Sequence, residues 1–381
     1  MLEVKSISVD KIIHIYQNRG KVWEIVASYE KAEGDFLHAL KWAQKGKHEN
    51  QEISLYHDLA HLYYLTADFA QAYERIDKGL DLARRTQERL LEAKLLQVQG
   101  NVFTLEGKYD EALQVLEKVR ETATAFNDRL TLASSLHNLA NVYFMEGAYL
   151  QAVSLYKEAL ALFEVFGDRY RSGMALCALG KVQTYLQDYK SALDCFQKAL
   201  EVHKAIGFSK GVSRILFNLG NYYEERSEYE EAEKLYNEVL SIQKEIGDRA
   251  GIVFTLGNMG ILYYKTKSYS QAISVLSKVL EMSRELKLRD AELQAMSFLG
   301  LAKGESGLKE EGISELKAAI ALAGKYDFQY HIAQGRMYLA EIYLTEQKTE
   351  EAKSLLTEAK EVAEKFNFTD LLNEIKEMEH L

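Results

Sequence analysis

Between residues 171 and 206 the apolar positions fall into two stripes with a polar break between them. Leu176, Leu179, Gly180 and Val182 form the first, and Ala192, Phe196, Ala199 and Leu200 form the second. Both follow the i, i+3, i+4, i+7 spacing that puts side chains on one face of an α-helix. The break, Gln187-Asp188-Tyr189, leaves room only for a tight turn. The pattern predicts two antiparallel helices, a first and a second, packed face to face.

The same pattern returns every forty residues. Small residues stand at Gly20, Ala60, Gly100, Ala140, Gly180, Gly220, Gly260, Gly300 and Ala340. Twelve residues on come Ala32, Ala72, Ala112, Ala152, Ala192, Ala232, Ala272, Gly312 and Ala352. Four further on come Phe36, Ile76, Leu116, Tyr156, Phe196, Tyr236, Leu276, Leu316 and Leu356. A lone hairpin cannot bury its apolar face, so nine equal units predict a stack with one continuous core. Gly180 and Ala192 are expected to face each other where the two helices cross. The aromatic that opens the second helix (Tyr29, Phe69, Tyr109, Tyr149, Tyr189, Tyr229, Tyr269) is expected to lie over the turn. Full burial of such a ring contributes about 1.5–3 kcal/mol.

Units are joined by Phe126-Asn127-Asp128-Arg129, Phe166-Gly167-Asp168-Arg169 and Ile246-Gly247-Asp248-Arg249. Glycine or asparagine can take the left-handed conformation that ends a helix, and the aspartate after it can cap the next one. Unit eight departs most from the pattern: Lys303, Lys309 and Gly312 replace aromatic, aromatic and alanine, with Gly304 and Gly307 nearby. Local looseness is expected there. The units run from about residue 10 to 366. After Asn367, an amphipathic segment of about 369–380 carries Leu371, Leu372, Ile375 and Met378 on one face and reads as a capping helix. The whole of 1–381 is expected to be one domain.

Leu219, Gly220, Tyr223, Ala232, Tyr236 and Val239 follow the motif of a known family, with valine in place of the last alanine. In these residues the chain resembles the tetratricopeptide repeats, over essentially its full length. The proline common late in that family's second helix is missing; Lys204 and Lys244 stand at its place. Forty-residue units of this kind are similar to those of Pins-type spindle-orientation scaffolds and of sensory arrays in bacterial signalling proteins, Rap-type pheromone receptors among them. The resemblance implies an all-α fold: a right-handed α-α superhelix (solenoid) of nine helical hairpins plus the C-terminal capping helix, its concave wall made by the first helices.

Composition fits that picture. The 381 residues include no proline, where about one in twenty is usual, and proline breaks helices. The formal charge is −10 and no basic stripe is visible, which argues against nucleic acid as a partner. Cys177 and Cys195 lie within helical stripes and read as free packing thiols in a reducing compartment. Residues 1–8 show no basic segment followed by an apolar run, and no stretch of eighteen apolar residues occurs. A cytoplasmic protein without a membrane span is therefore expected.

In the resembling family, groove residues lie six, three and two before the first-helix glycine position and one, four and five after it. Carried over, this places Asn101, Asn141 and Asn221 one after it, and Asn138, Asn218 and Asn258 two before. An amide side chain donates and accepts, so such a ladder can hold a peptide backbone without reading its sequence; the alternative is a solvated polar face. Lys94, Lys181 and Arg214 project from the same wall and can select an acidic side chain or a terminal carboxylate. Val98 stands where a chaperone-type carboxylate clamp would want arginine beside Lys94. Phe144, Met174, Phe217, Phe254, Ile261 and Tyr264 also fall at groove positions, as pockets for partner side chains or as surface covered by the next unit.

Little in the sequence suggests chemistry. His57 and His61 are four apart, with Glu24 in the preceding unit, but His57-Asp58-Leu59-Ala60-His61 lacks the glutamate of a metalloprotease helix. The run Glu224, Glu225, Glu228, Glu230, Glu231, Glu233 reads as a charged helix end and turn. No nucleophile elbow or phosphate loop is present, and the loops are too short to carry a catalytic site. No catalytic residue, metal or cofactor is expected. The expected partner is another protein or an extended peptide, with no nucleic acid, membrane or small-molecule substrate. The function expected is that of an interaction scaffold or adaptor, or alternatively of a peptide-responsive receptor.

Overall fold

A computed structural model describes residues 8–26, 28–366 and 368–379. Residues 1–7, read above for a leader, and residue 380 of the expected cap lie outside them. Among the described residues there are nineteen helices and no strand. Nine hairpins follow in order: α1 (Val9–Ile25) with α2 (Tyr29–Gly46), α3 (Glu49–Leu65) with α4 (Phe69–Thr86), α5 (Arg89–Leu105) with α6 (Tyr109–Ala125), α7 (Arg129–Met145) with α8 (Tyr149–Val165), and α9 (Arg169–Tyr185) with α10 (Tyr189–Ala205). Then come α11 (Ser209–Glu225) with α12 (Tyr229–Glu245), α13 (Arg249–Lys265) with α14 (Tyr269–Leu286), α15 (Arg289–Glu305) with α16 (Lys309–Lys325), and α17 (Gln329–Thr345) with α18 (Thr349–Lys365). The short α19 (Thr369–Glu379) closes the series.

The helices are equal in length because their stop signals are evenly placed. A left-handed residue ends a helix every twenty positions from Lys47 to Gln347, between first and second helices as well as between units. Asn127, Gly167 and Gly247 serve between units, as expected, with φ of 53°, 65° and 71°. The aspartate after each accepts from a backbone N–H three residues on: Asp128 from Thr131, Asp168 from Arg171, Asp248 from Gly251. Asp68 and Asp188 cap second helices in the same way.

Inside a hairpin, the small residue of the first helix lies under the large residue sixteen positions on. A Cβ at Gly180 would come within 2.7 Å of the Phe196 ring, and one at Gly100 within 2.6 Å of Leu116. At Gly180 a ring thus lies over bare backbone. In unit eight two backbones meet: a Cβ on Gly312 would come within 2.5 Å of the Gly300 carbonyl oxygen and 2.8 Å of the Gly304 nitrogen. Three glycines there permit close approach, so the expected looseness gives way to a tight crossing, with Gly304 against Ile342. The ring that opens each second helix is half-buried, not fully buried, because it sits at the edge of the turn; the Tyr269 hydroxyl is 3.5 Å from Glu305 of the next unit.

The chain divides into two compact units, residues 1–215 and 216–381. In the first, α3 packs on α5 and α5 on α7; in the second, α13 packs on α15, α15 on α17 and α17 on α19. Among the described residues no contact between second helices compares with these. Crowded first helices and splayed second helices are the two sides of a curved stack, so the first helices form the inner wall of each unit. The first unit curls far enough for the Lys210 ammonium to reach the Tyr29 hydroxyl, 3.4 Å away and 181 residues earlier. In the second, α19 buries Leu371 and Ile375 completely in a core that includes Met337, Leu356 and Ala359.

Candidate peptide-binding groove

At the start of the first unit the inner wall is saturated with its own contacts. The Asp58 carboxylate accepts from Gln17 (2.7 Å), pairs with Lys21 (3.4 Å) and lies 3.1 Å from His57 Nδ1. Burial opposes its charge, yet His57, Lys21 and Gln17 together hold its carboxyl below the usual carboxylate range. His61 is 3.2 Å from Glu24, and the two histidine rings stack 6.4 Å apart. Among the described residues no group of three or more histidine, cysteine or carboxylate side chains is placed to hold a metal.

Further along, the wall changes character. Lys94 is exposed, Val98 beside it is buried, and Asn101 is half-buried with no side-chain hydrogen bond among the described residues. Asn138 and Asn141 are half-buried too, and the Asn141 carbonyl oxygen accepts from the Tyr156 hydroxyl at 2.5 Å. The Lys181 ammonium lies 4.6 Å over the ring of Phe144, which also packs against Tyr149 and Tyr185. Burial holds the Lys181 amine below its usual value. Arg214 is exposed and rests its guanidinium on the Met174 sulfur. Neither Lys181 nor Arg214 has a carboxylate partner among the described residues. His137 on α7 is edge-on to Tyr156 (5.2 Å) and pushed down to about 4 by burial and by the charges of Arg214 and Arg171. Its Nδ1 is buried without a hydrogen bond.

In the second unit the Phe217 ring packs against Tyr236, 5.9 Å between centroids, and Asn218 beside it is half-buried. Asn221 accepts from both the Tyr236 hydroxyl (2.7 Å) and the Asn258 amide (2.9 Å). The asparagine ladder therefore exists here as a physical link between repeats, and its carbonyl is spent internally; the Asn221 NH₂ stays available. Phe254 is the most open of the apolar candidates at 45% exposure, while Ile261 and Tyr264 are half-buried. Tyr264 packs against Tyr269 and Phe298, 5.9 Å each. Lys265 is bonded to Glu224 at 2.7 Å.

Sequence reasoning passed over His137, Phe298, Tyr338 and Glu341, although all four occupy positions three or two before the marker, or one after it. The signal was present in the register; asparagine and lysine drew the attention because they repeat.

A family model described as tetratricopeptide repeat matches residues 51–125, 90–165, 131–205, 170–245 and 211–285, overlapping windows that span 51–285. The chain belongs to the tetratricopeptide repeat family. No curated protein matches it in sequence. Among solved structures, this tetratricopeptide array is similar to a Rap protein complexed with competence and sporulation factor, at 15% identity and a TM-score of 0.65, over 94% of this chain and 99% of that one. It is also similar to a STAND signal-transduction ATPase with a tetratricopeptide repeat sensor from Pyrococcus horikoshii, at 18% identity and a TM-score of 0.64, over 98% of this chain. The array spans 56% of that chain's length. The quorum sensor NprR from B. thuringiensis, in its apo form, aligns at 14% identity with a TM-score of 0.55, over 86% of this chain and 97% of that one. At these identities the likeness establishes the fold. Among the described residues no helix of the array is long and apolar enough to cross a membrane.

Proposed function

We propose that the chain is a non-catalytic interaction scaffold whose inner wall holds an extended segment of a partner protein, and that the first unit selects an acidic side chain or terminal carboxylate of that segment. The observation that carries this reading is the pair Lys181 and Arg214. In a chain of net charge −10, two cations stand on the inner wall without carboxylate partners among the described residues, each resting on a half-buried apolar side chain. A cation already partly dehydrated gains more from a carboxylate than one in free water. Asn138, Asn141 and Lys94 along the same wall, and Asn218, Asn221, Phe217, Phe254 and Tyr264 in the second unit, would contact the backbone and side chains of the bound segment.

The test is capture of partners by the full chain beside Lys181→Gln/Arg214→Gln, read by mass spectrometry and then by titration of the captured segment. The double variant should keep its helical signal and weaken binding by about tenfold or more, the scale of a lost charge-assisted pair. Unchanged affinity in a folded variant would remove the reading.

A second reading is supported by the neighbours, one of them a Rap protein with a bound factor and another a quorum sensor. In it the segment is a short peptide signal and the array responds by changing its curvature. The Lys210–Tyr29 contact that closes the first unit supplies the observation. Peptide-dependent compaction in solution scattering, weakened by Lys210→Ala, would distinguish a receptor from a passive scaffold.

A further inference from the structure

The inner wall of the second unit ends in a cluster that the asparagine ladder does not explain. At the register where other repeats carry asparagine, unit eight carries Phe298 and unit nine carries Tyr338, with Glu341 one turn on. Phe298 packs against Tyr264 (5.9 Å) and Tyr338 (5.5 Å), so three rings from α13, α15 and α17 form one continuous strip. Around it stand Glu305 at the end of α15, Glu341 on α17 and Glu374 on α19. Glu341 lies within electrostatic range of both other carboxylates, and Tyr338 within range of Glu341 and Glu374. None of the three has an ion-pair partner among the described residues. Lys265, a cation that faces Glu374, is committed to Glu224.

A group of acids is by itself only a repulsive surface. The second observation is the Tyr338 side chain. It is 8% exposed, and among the described residues its hydroxyl makes no hydrogen bond, with Glu374 and Glu341 in electrostatic range of it. A phenol so deeply placed normally finds a partner. Its neighbour Tyr330 does, donating to Asp370 at 2.8 Å. Burial and mutual repulsion push the carboxyls of Glu341 and Glu374 up, so the unliganded cluster stores unfavourable charge. Among the described residues no group of three or more such side chains is placed to hold a metal ion.

We propose that Tyr338, Phe298, Glu341 and Glu374 form a subsite for a cationic side chain of a bound polypeptide, arginine in preference to lysine. The rings take the stem and the planar face of a guanidinium, which stacks on aromatic surfaces and donates through several N–H groups at once. Glu341 and Glu374, on two different helices, accept from separate N–H groups of the guanidinium. The Tyr338 hydroxyl gains a donor or acceptor partner at the rim. The subsite rests on the reading that the inner wall takes polypeptide, but it belongs to a different unit and the opposite charge from Lys181 and Arg214.

The experiment titrates the full chain, by calorimetry, with acetyl-Gly-Ser-Leu-Arg-Leu-Ser-Gly-amide and with the same peptide carrying glutamine at the centre. The arginine peptide should bind about tenfold tighter or more, and Glu341→Gln/Glu374→Gln should abolish that difference. Tyr338→Phe should reduce it about threefold. Glu374 is exposed, so Glu374→Gln alone tests the subsite in a chain that still folds. Neither peptide carries a carboxylate, so the difference between them reads this subsite alone, which separates its failure from failure of the anionic one. Equal binding of the two peptides, persistence of the difference in the double glutamine variant, or displacement of the arginine peptide by calcium or magnesium would each overturn the proposal.

Discussion

His137 shows how far one groove residue departs from its ordinary chemistry. Its imidazole is held neutral by burial first, and then by Arg214 and Arg171. A group whose folded value lies near 4 and whose unfolded value lies near 6.5 binds more protons when unfolded. Its contribution is therefore fully present above the unfolded value and is lost as pH falls through that window, at a cost of up to about 3 kcal/mol. His137→Phe, which keeps a ring against Tyr156, should lose less stability than wild type between pH 7 and pH 4 in urea titrations. Parallel losses would show that the histidine is already solvated. A second residue-scale expectation concerns Asn141. Tyr156 is 2% exposed and gives its hydroxyl proton to the Asn141 carbonyl. Asn141→Ala should cost about 1–3 kcal/mol by leaving that hydroxyl unpaired, and Tyr156→Phe should restore part of it. An additive double variant would deny the coupling. The asparagines were legible in the sequence as a repeated feature, but their bonding was not read, although the clue is there. Asn141 and Asn221 precede a tyrosine by fifteen residues, whereas Asn101 faces Leu116 at that spacing and makes no such bond.

Among the elements, the twenty-residue spacing of left-handed residues explains why a forty-residue unit is two helices of matched length. The turns at Asn127, Gly167 and Gly247 could be read from residue type. Those at Lys47, Ala67 and Lys267 could not, because nothing in an alanine or lysine announces a positive φ. There the packing of the hairpin imposes the conformation and the residue bears its cost. Ala67 has a φ of 56°, where an ordinary side chain is strained by about 1–2 kcal/mol. Glycine removes the strain and gives back about 0.4–1 kcal/mol through the greater freedom of its unfolded chain. Ala67→Gly should therefore raise stability by roughly 0.5–1 kcal/mol, seen as a higher urea midpoint with unchanged slope. Ala72→Gly, five residues on in the helix interior and fully buried, should lower it. If both substitutions destabilise alike, the turn is not strained. The crossing geometry was half legible: the small residue at a marker was read as allowing close approach, but the large side chain sixteen on that lies over the glycine markers was not.

For the molecule as a whole, sequence periodicity fixes the local contacts and leaves the charge pattern of the inner wall unannounced. Net charge says only that acids outnumber bases; it takes the register to show unpaired cations on the first unit's wall and unpaired carboxylates on the second's. The stack also dictates how damage travels. Apart from the Lys210–Tyr29 contact, the hairpins pack on their neighbours, so stability is close to a sum of local terms. Leu371 and Ile375 of α19 are completely buried in a core that stays within α15 to α19, with Tyr264 at its border. Leu371→Ala should cost about 2–5 kcal/mol locally, as large-to-small changes in a core do. In hydrogen exchange the loss should appear in α17 and α18, fade through α15, and leave α3 to α6 with their original protection. Exchange that accelerated equally in α3 and α17 would mean that the array unfolds as one cooperative body. The cap would then hold the entire chain together and not merely its last two hairpins.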